Sequence, residues 1–147
     1  MPSLCLDASL VLLWFLREEL SAAADSLLDE WRNAGARFIA PALLMAEVPS
    51  ALRQAVHRGR MTLEEGDDAL DAFLQMNIVI REPDGLLRRA WQFGKELNAS
   101  RLYDMLYLAA ADLEKCELWS ADRRLVNLAA RRLSFVRWVG ASSPPGA

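Results

Sequence analysis

Short unbroken apolar runs alternate along this chain with longer stretches of helical character. Residues 3–6 (SLCL) read as a strand ending at Asp7. Residues 8–16 (ASLVLLWFL) read as a buried helix reaching about Arg17, because the run is long and has no turn residue. Glu18 and Glu19 interrupt it, and Ser21 is placed to cap a second helix to about Asn33, with Gly35 beyond its end. Residues 37–40 (RFIA) are the next strand. Pro41, suited to a first helical position, opens a third helix that runs to Gly59. Thr62 and Glu65 have the spacing of a reciprocal cap and start a fourth helix to about Gln75. A strand at 77–80 (NIVI) and a helix from Pro83 to Leu97, with Gly94 as its weak point, follow.

Residues 101–113 are apolar on nearly every face, which marks a helix inside the core rather than on the surface. A strand at 117–120 (ELWS), a helix from Asp122 and a strand at 135–139 complete the pattern. Such alternation predicts an α/β domain: a mainly parallel sheet of about five strands with helices on both faces. Residues 1–139 are expected to form one domain, and 140–147 (GASSPPGA) a flexible tail.

In such sheets ligands bind outside the carboxyl ends of the strands. Asp7 and Asp122 each follow a strand at that edge, while Glu47 and Asp104 lie early in helices fed from it. Each acid has a plainer role available. Asp7 and Asp122 can cap helices, and Asp104 is favoured by the dipole of its own helix. Glu47 is harder to dismiss, since Leu43, Leu44, Val48 and Ala51 share its side. Asp112 lies about 12 Å along the helix from Asp104 and cannot share an ion with it directly. It is expected to be solvated or paired near the helix end. Taken together, four carboxylates suit Mg²⁺ or Mn²⁺, which take oxygen ligands and retain several waters. Ser120 could add a hydroxyl or act as a cap.

Composition narrows the chemistry. The 147 residues carry a formal charge of −3 with a pI near 5.2, so no global basic field attracts nucleic acid. Arginine supplies fifteen of the 17 basic residues and lysine only Lys95 and Lys115. Arginine suits bidentate phosphate contact, although genome composition alone produces the same bias. Arg123 and Arg124, directly after Asp122, could steer phosphate or simply be solvated. His57, the only histidine, sits at a helix end, so Ser-His and Cys-His nucleophiles have little support. No Walker loop, glycine fingerprint or zinc spacing occurs. Cys5 and Cys116 read as reduced buried thiols. The first apolar run is broken by Asp7 and lacks a basic leader, so the expected location is cytoplasmic, with no membrane contact.

The segments LCLDAS with Asp7, PALLMAEVPSAL with Glu47, LYDMLYLAAA with Asp104 and LWSADRRL with Asp122 resemble the PIN-domain family, and within it the VapC-type toxins of bacterial toxin–antitoxin pairs. Each motif alone is weak; four in this order, over residues 4–135, are specific. The resemblance implies a three-layer α/β/α fold and a ribonuclease dependent on Mg²⁺ or Mn²⁺. It further implies RNA as substrate, a cognate antitoxin that blocks the site, and a homodimer. Asp7, Glu47, Asp104 and Asp122 then carry over as catalytic, metal-holding acids. Ser50 stands where family members often have asparagine, and Pro49 is expected to kink its helix just beyond Glu47. The alternatives are a catalytically silent PIN-like module that binds nucleic acid or protein, and a phosphoacceptor receiver domain. The second is poorly served, because Asp7 has no paired acid and neither lysine follows a strand.

Overall fold

The computed structural model describes residues 2–141. The elements in chain order are β1 (Ser3–Leu6), α1 (Ala8–Leu12), α2 (Ser21–Asn33), β2 (Arg37–Ala40), α3 (Leu44–His57), α4 (Leu63–Leu74), β3 (Val79–Ile80), α5 (Leu86–Glu96), α6 (Tyr103–Leu113), β4 (Glu117–Ser120), α7 (Arg123–Ala129) and β5 (Val136–Trp138). The five strands form one sheet in the order β3-β2-β1-β4-β5, and every pairing is parallel. β1 is central, and the chain leaves it toward β2 and β3 before returning on the other side to β4 and β5. That reversal puts a switch point between β1 and β4.

Strand alternation builds the three layers. Cys5, Ile39 and Leu118 lie level across β1, β2 and β4 and are buried. On their face runs α6, where the Cys5 thiol reaches the Tyr107 carbonyl. Phe38 and Trp119 point the opposite way and meet Trp31 of α2 edge-on, with ring centroids 6.0 and 5.2 Å apart. The burial of α6 follows from its composition: Met105, Tyr107, Leu108 and Ala109 to Ala111 are all buried. It packs on β1, β2 and β4, and α5 covers it from outside. The parallel sheet covered on both faces is the one the alternating pattern predicts, and the three layers are those the PIN-family resemblance implies.

Several boundaries differ from the sequence reading for local reasons. The first helix ends at Leu12 rather than near Arg17. After it, Trp14 and Phe15 bond back three residues, to Val11 and Leu12, and the Ser21 hydroxyl takes the Leu13 carbonyl at 2.8 Å. Ser21 is therefore the first residue of α2 and a clamp on the preceding turn, rather than its cap. The third strand shrinks to Val79–Ile80 because Asn77 adopts a left-handed backbone (φ 58°) and β3 is an exposed edge. Pro49 lies inside α3, which runs as one helix from Leu44 to His57. Thr62 and Glu65 form the reciprocal cap of α4 in both directions, at 3.0 and 2.8 Å. Asp112 is paired, receiving the Arg89 Nε at 2.8 Å. Gly140 and Ala141 close a short 3-10 turn; the rest of the expected tail lies outside the described residues. Among the described residues no helix is long and apolar enough to cross a membrane.

Candidate active site at the carboxyl edge of the sheet

The β1–β4 register brings Leu6 level with Trp119, so the residues that follow, Asp7 and Ser120, meet at the strand ends. Asp7 is 4% exposed. Its Oδ1 accepts from the Leu10 backbone N–H (3.0 Å) and the Ser9 hydroxyl (2.7 Å), and its Oδ2 accepts from the Ser120 hydroxyl. The plain reading is thus correct as far as it goes: Asp7 caps α1. Burial pushes its carboxyl up to about 6 against the opposing pull of those three hydrogen bonds, and repulsion from Asp104 adds to the rise.

Ser9 and Ser120 stitch the two strand ends together. Ser9 Oγ accepts from the Ala121 N–H (3.0 Å), Ser120 Oγ accepts from the Asp122 N–H (2.9 Å), and the two hydroxyls lie 3.2 Å apart. Asp122 itself caps α7, its Oδ1 accepting from Arg124 N at 3.0 Å and Leu125 N at 3.3 Å. A second oxygen on Asp122 is left for other partners.

Asp104 sits in the first turn of α6 and has no hydrogen-bond or ion-pair partner among the described residues. Its carboxyl is raised above the ordinary range by burial, then by repulsion from Asp122 and Glu47, while Arg124 opposes the rise. Asp104 and Asp122 face one cleft of about 810 Å³, with Arg101 and Arg124 on its walls. Glu47 accepts a 2.6 Å hydrogen bond from the Tyr107 hydroxyl and borders a neighbouring groove of about 360 Å³ with Ser50 and Tyr103. Burial, then this contact with Glu47, holds the Tyr107 phenol far above its ordinary range.

The four acids thus gather at one edge but not in one pocket. Two face the large cleft, one the groove beside it, and Asp7 lies beneath, each felt electrostatically by a neighbour. Among the described residues no group of three or more His, Cys, Asp or Glu side chains is close enough to hold a metal ion. A closed protein cage for a metal is therefore not built. The donors do suit a hard cation held in another way. Mg²⁺ commonly takes one or two carboxylates and completes its shell with water and substrate phosphate. Asp104 and Asp122, facing one cleft with oxygens to spare, meet that requirement.

Some contributors escaped the sequence reading. Ser9 mirrors Ser120, two residues after one acid as the other is two before, and that symmetry was the available signal. Tyr107 carried no signal, since an aromatic in an apolar helix reads as core. Of the arginine pair, Arg124 lines the cleft, whereas Arg123 lies over the Trp138 ring at 3.9 Å.

The PIN domain family matches residues 4–131 of the chain. VapC ribonuclease Mb0985 of Mycobacterium bovis is 32% identical over 111 residues, covering 73% of this chain and 85% of that protein. Ribonuclease VapC9 of Mycobacterium tuberculosis matches to the same extent. Among solved structures, PAE2754 from Pyrobaculum aerophilum superposes with a TM-score of 0.69 at 19% identity, over 96% of this chain and 92% of that one. VapBC2 from Rickettsia felis, solved bound to a DNA fragment from their promoter, gives a TM-score of 0.67 at 13% identity, over 92% and 96%. At those identities the structures testify to the fold alone, while the sequence matches carry the ancestry: the chain belongs to the PIN domain family, in its VapC branch.

Proposed function

We propose that this protein is a metal-dependent endoribonuclease, the toxin of a toxin–antitoxin pair, and that its acidic cleft hydrolyses RNA phosphodiesters. The observation that carries the reading is the pairing of Asp104 and Asp122 on one open cleft whose walls bear Arg101 and Arg124. The ribonuclease names of relatives 32% identical over 73% of the chain support it. Arg101 and Arg124 would bind the phosphate of a single strand, as guanidinium groups do, and orient it against the two carboxylates. Asp104 and Asp122 would hold Mg²⁺ or Mn²⁺, with Asp7 and Glu47 setting the field behind them. When bound, such an ion supplies an activated water and stabilises the leaving oxygen of an in-line displacement. Ser9 and Ser120 keep Asp7 and the start of α7 in fixed relation, so that Asp122 is oriented before substrate arrives.

A cognate antitoxin and a homodimer belong to the same reading. Apolar surface on α4 supports a protein partner: Leu63 and Leu74 are 66% and 56% exposed, and a groove of about 110 Å³ runs between α3 and α4. The side chains of Leu10, Leu13, Leu16, Leu27 and Trp31, by contrast, are covered within the monomer. The Glu47–Tyr107 contact, which engages one of the four acids, favours the second reading of a binding module without cleavage.

One experiment tests the proposal. Purified protein incubated with total RNA should cleave it with Mn²⁺ or Mg²⁺ and stop when EDTA is added. Intact RNA under every metal condition, from protein that still binds it, would establish the binding module instead. Light scattering of the purified chain checks the dimer.

A further inference from the structure

We propose that the notch formed by Trp91, Lys95 and Arg101 beside the acidic cleft is a subsite for single-stranded RNA: one base stacks on the Trp91 indole while Lys95 and Arg101 hold the flanking phosphates. This rests on the ribonuclease reading and adds to it where the substrate strand lies.

α5 has two distinct rows. Leu86, Ala90, Phe93 and Leu97 face the core and are buried. Leu87, Trp91 and Lys95, four residues apart, run along the outside. Trp91 is 61% exposed and makes no ring contact or hydrogen bond among the described residues. It borders a notch of about 230 Å³ with Gly94, Lys95 and the α5–α6 loop. That loop is shared: Ala99, Ser100 and Arg101 line both the notch and the 810 Å³ cleft. A nucleotide in the notch therefore lies beside the phosphate that Asp104 and Asp122 face.

Three features make the notch a prepared surface rather than a gap. Its charges are uncommitted: Arg17, Arg60, Arg89 and Arg137 pair with acids, but Lys95 and Arg101 have no such partner among the described residues. Its wall is tied down, since Ala99 N–H bonds Gly94 O at 2.9 Å and Arg132 reaches Glu96 O at 3.0 Å. Its floor is a glycine that the backbone does not demand. Gly94 is helical, and a Cβ there would meet Leu102 Cδ2 at an ordinary 3.6 Å. Glycine inside a helix is unfavourable relative to alanine; what a side chain would occupy here is the notch itself. An exposed aromatic flanked by free cations is the usual platform for single strands, because every base offers a π-face and every linkage a charge.

The test uses the full chain and a fluorescent 2′-O-methyl RNA of about ten nucleotides, within the site sizes of single-strand binders. Binding is read by anisotropy, and a gel checks that the probe stays intact. Trp91→Ala should weaken binding about 5- to 100-fold, and Trp91→Phe should stay within about threefold of the parent. Lys95→Ala and Arg101→Ala should each make the dependence of log Kd on log salt shallower by about 0.7. Leu87→Ala, on the same row but outside the notch, should bind like the parent. Parental affinity in Trp91→Ala overturns the proposal. So does loss of a dimer in both Trp91→Ala and Leu87→Ala at unchanged RNA affinity, which would assign the row to a second copy of the chain. Cleavage of total RNA is scored separately, so Trp91-dependent binding without cleavage would keep the subsite and overturn only the catalytic reading.

Discussion

Replacing Asp7 with asparagine sets the buried charge against the fold that surrounds it. The carboxyl rises from an ordinary 3.8 to about 6, chiefly because burial strips its water. The folded protein therefore holds this proton more tightly than the unfolded chain does. The resulting stabilisation is complete below about pH 4 and is lost as pH rises through about 6. At pH 8 the ionised group costs about 3 kcal/mol relative to a neutral one. Asparagine removes the charge and keeps the shape. Its oxygen can still accept from Leu10 N–H and Ser9, while its amide must donate to Ser120, which now turns its own proton toward Ser9. Losing charge-assisted bonds offsets part of the gain, so a net stabilisation of about 1–2 kcal/mol is expected at pH 8. For a chain of this size that raises Tm by roughly 2–4 °C per kcal/mol. Melts in EDTA from pH 4.5 to 8 are the assay, with RNA cleavage measured in parallel and expected to be lost. The difference between variant and parent should grow across pH 4 to 6 and then level off. A variant that melts below the parent at pH 8, by an amount that does not change with pH, would refute the reasoning and leave Asp7 as a helix cap only.

Asp104→Asn should abolish cleavage while the metal-free protein melts at the same temperature or higher, because repulsion from Asp122 and Glu47 is relieved; Mg²⁺ should then raise Tm less than in the parent. Asp112→Asn should leave cleavage intact and cost about 0.5–1 kcal/mol in a denaturant titration, since it breaks a partly buried pair with Arg89. Burial raises the thiols of Cys5 and Cys116, the second to about 11, so the native protein at pH 8 should react sluggishly with a thiol reagent and release both thiols on unfolding. Thr62→Ala removes one arm of the α4 cap and should lower stability by about 1 kcal/mol without touching cleavage.

The period of apolar residues determined the element order by itself. Runs such as SLCL and ELWS are short and mainly apolar, which marks them as strands of a covered sheet, and residues 101–113 are apolar on nearly every face, which marks an inner helix. The four acids were legible for the same reason, as charges in or beside segments that otherwise exclude water. Tertiary structure decided how those acids relate to one another. Asp7 and Ser120 are far apart in sequence and meet only because β1 pairs with β4 in one register. Glu47 borders a separate groove and takes the Tyr107 hydroxyl, which reaches it from another helix. The Ser21 clamp that ends α1 early is likewise a contact between elements, invisible to local periodicity. Trp91 gained meaning only when the α5–α6 loop, with Arg101, joined the notch it borders to the acidic cleft. Sequence pattern carries what each residue must avoid or seek; which partners satisfy it depends on packing between distant segments, where a single side chain's direction selects the neighbour.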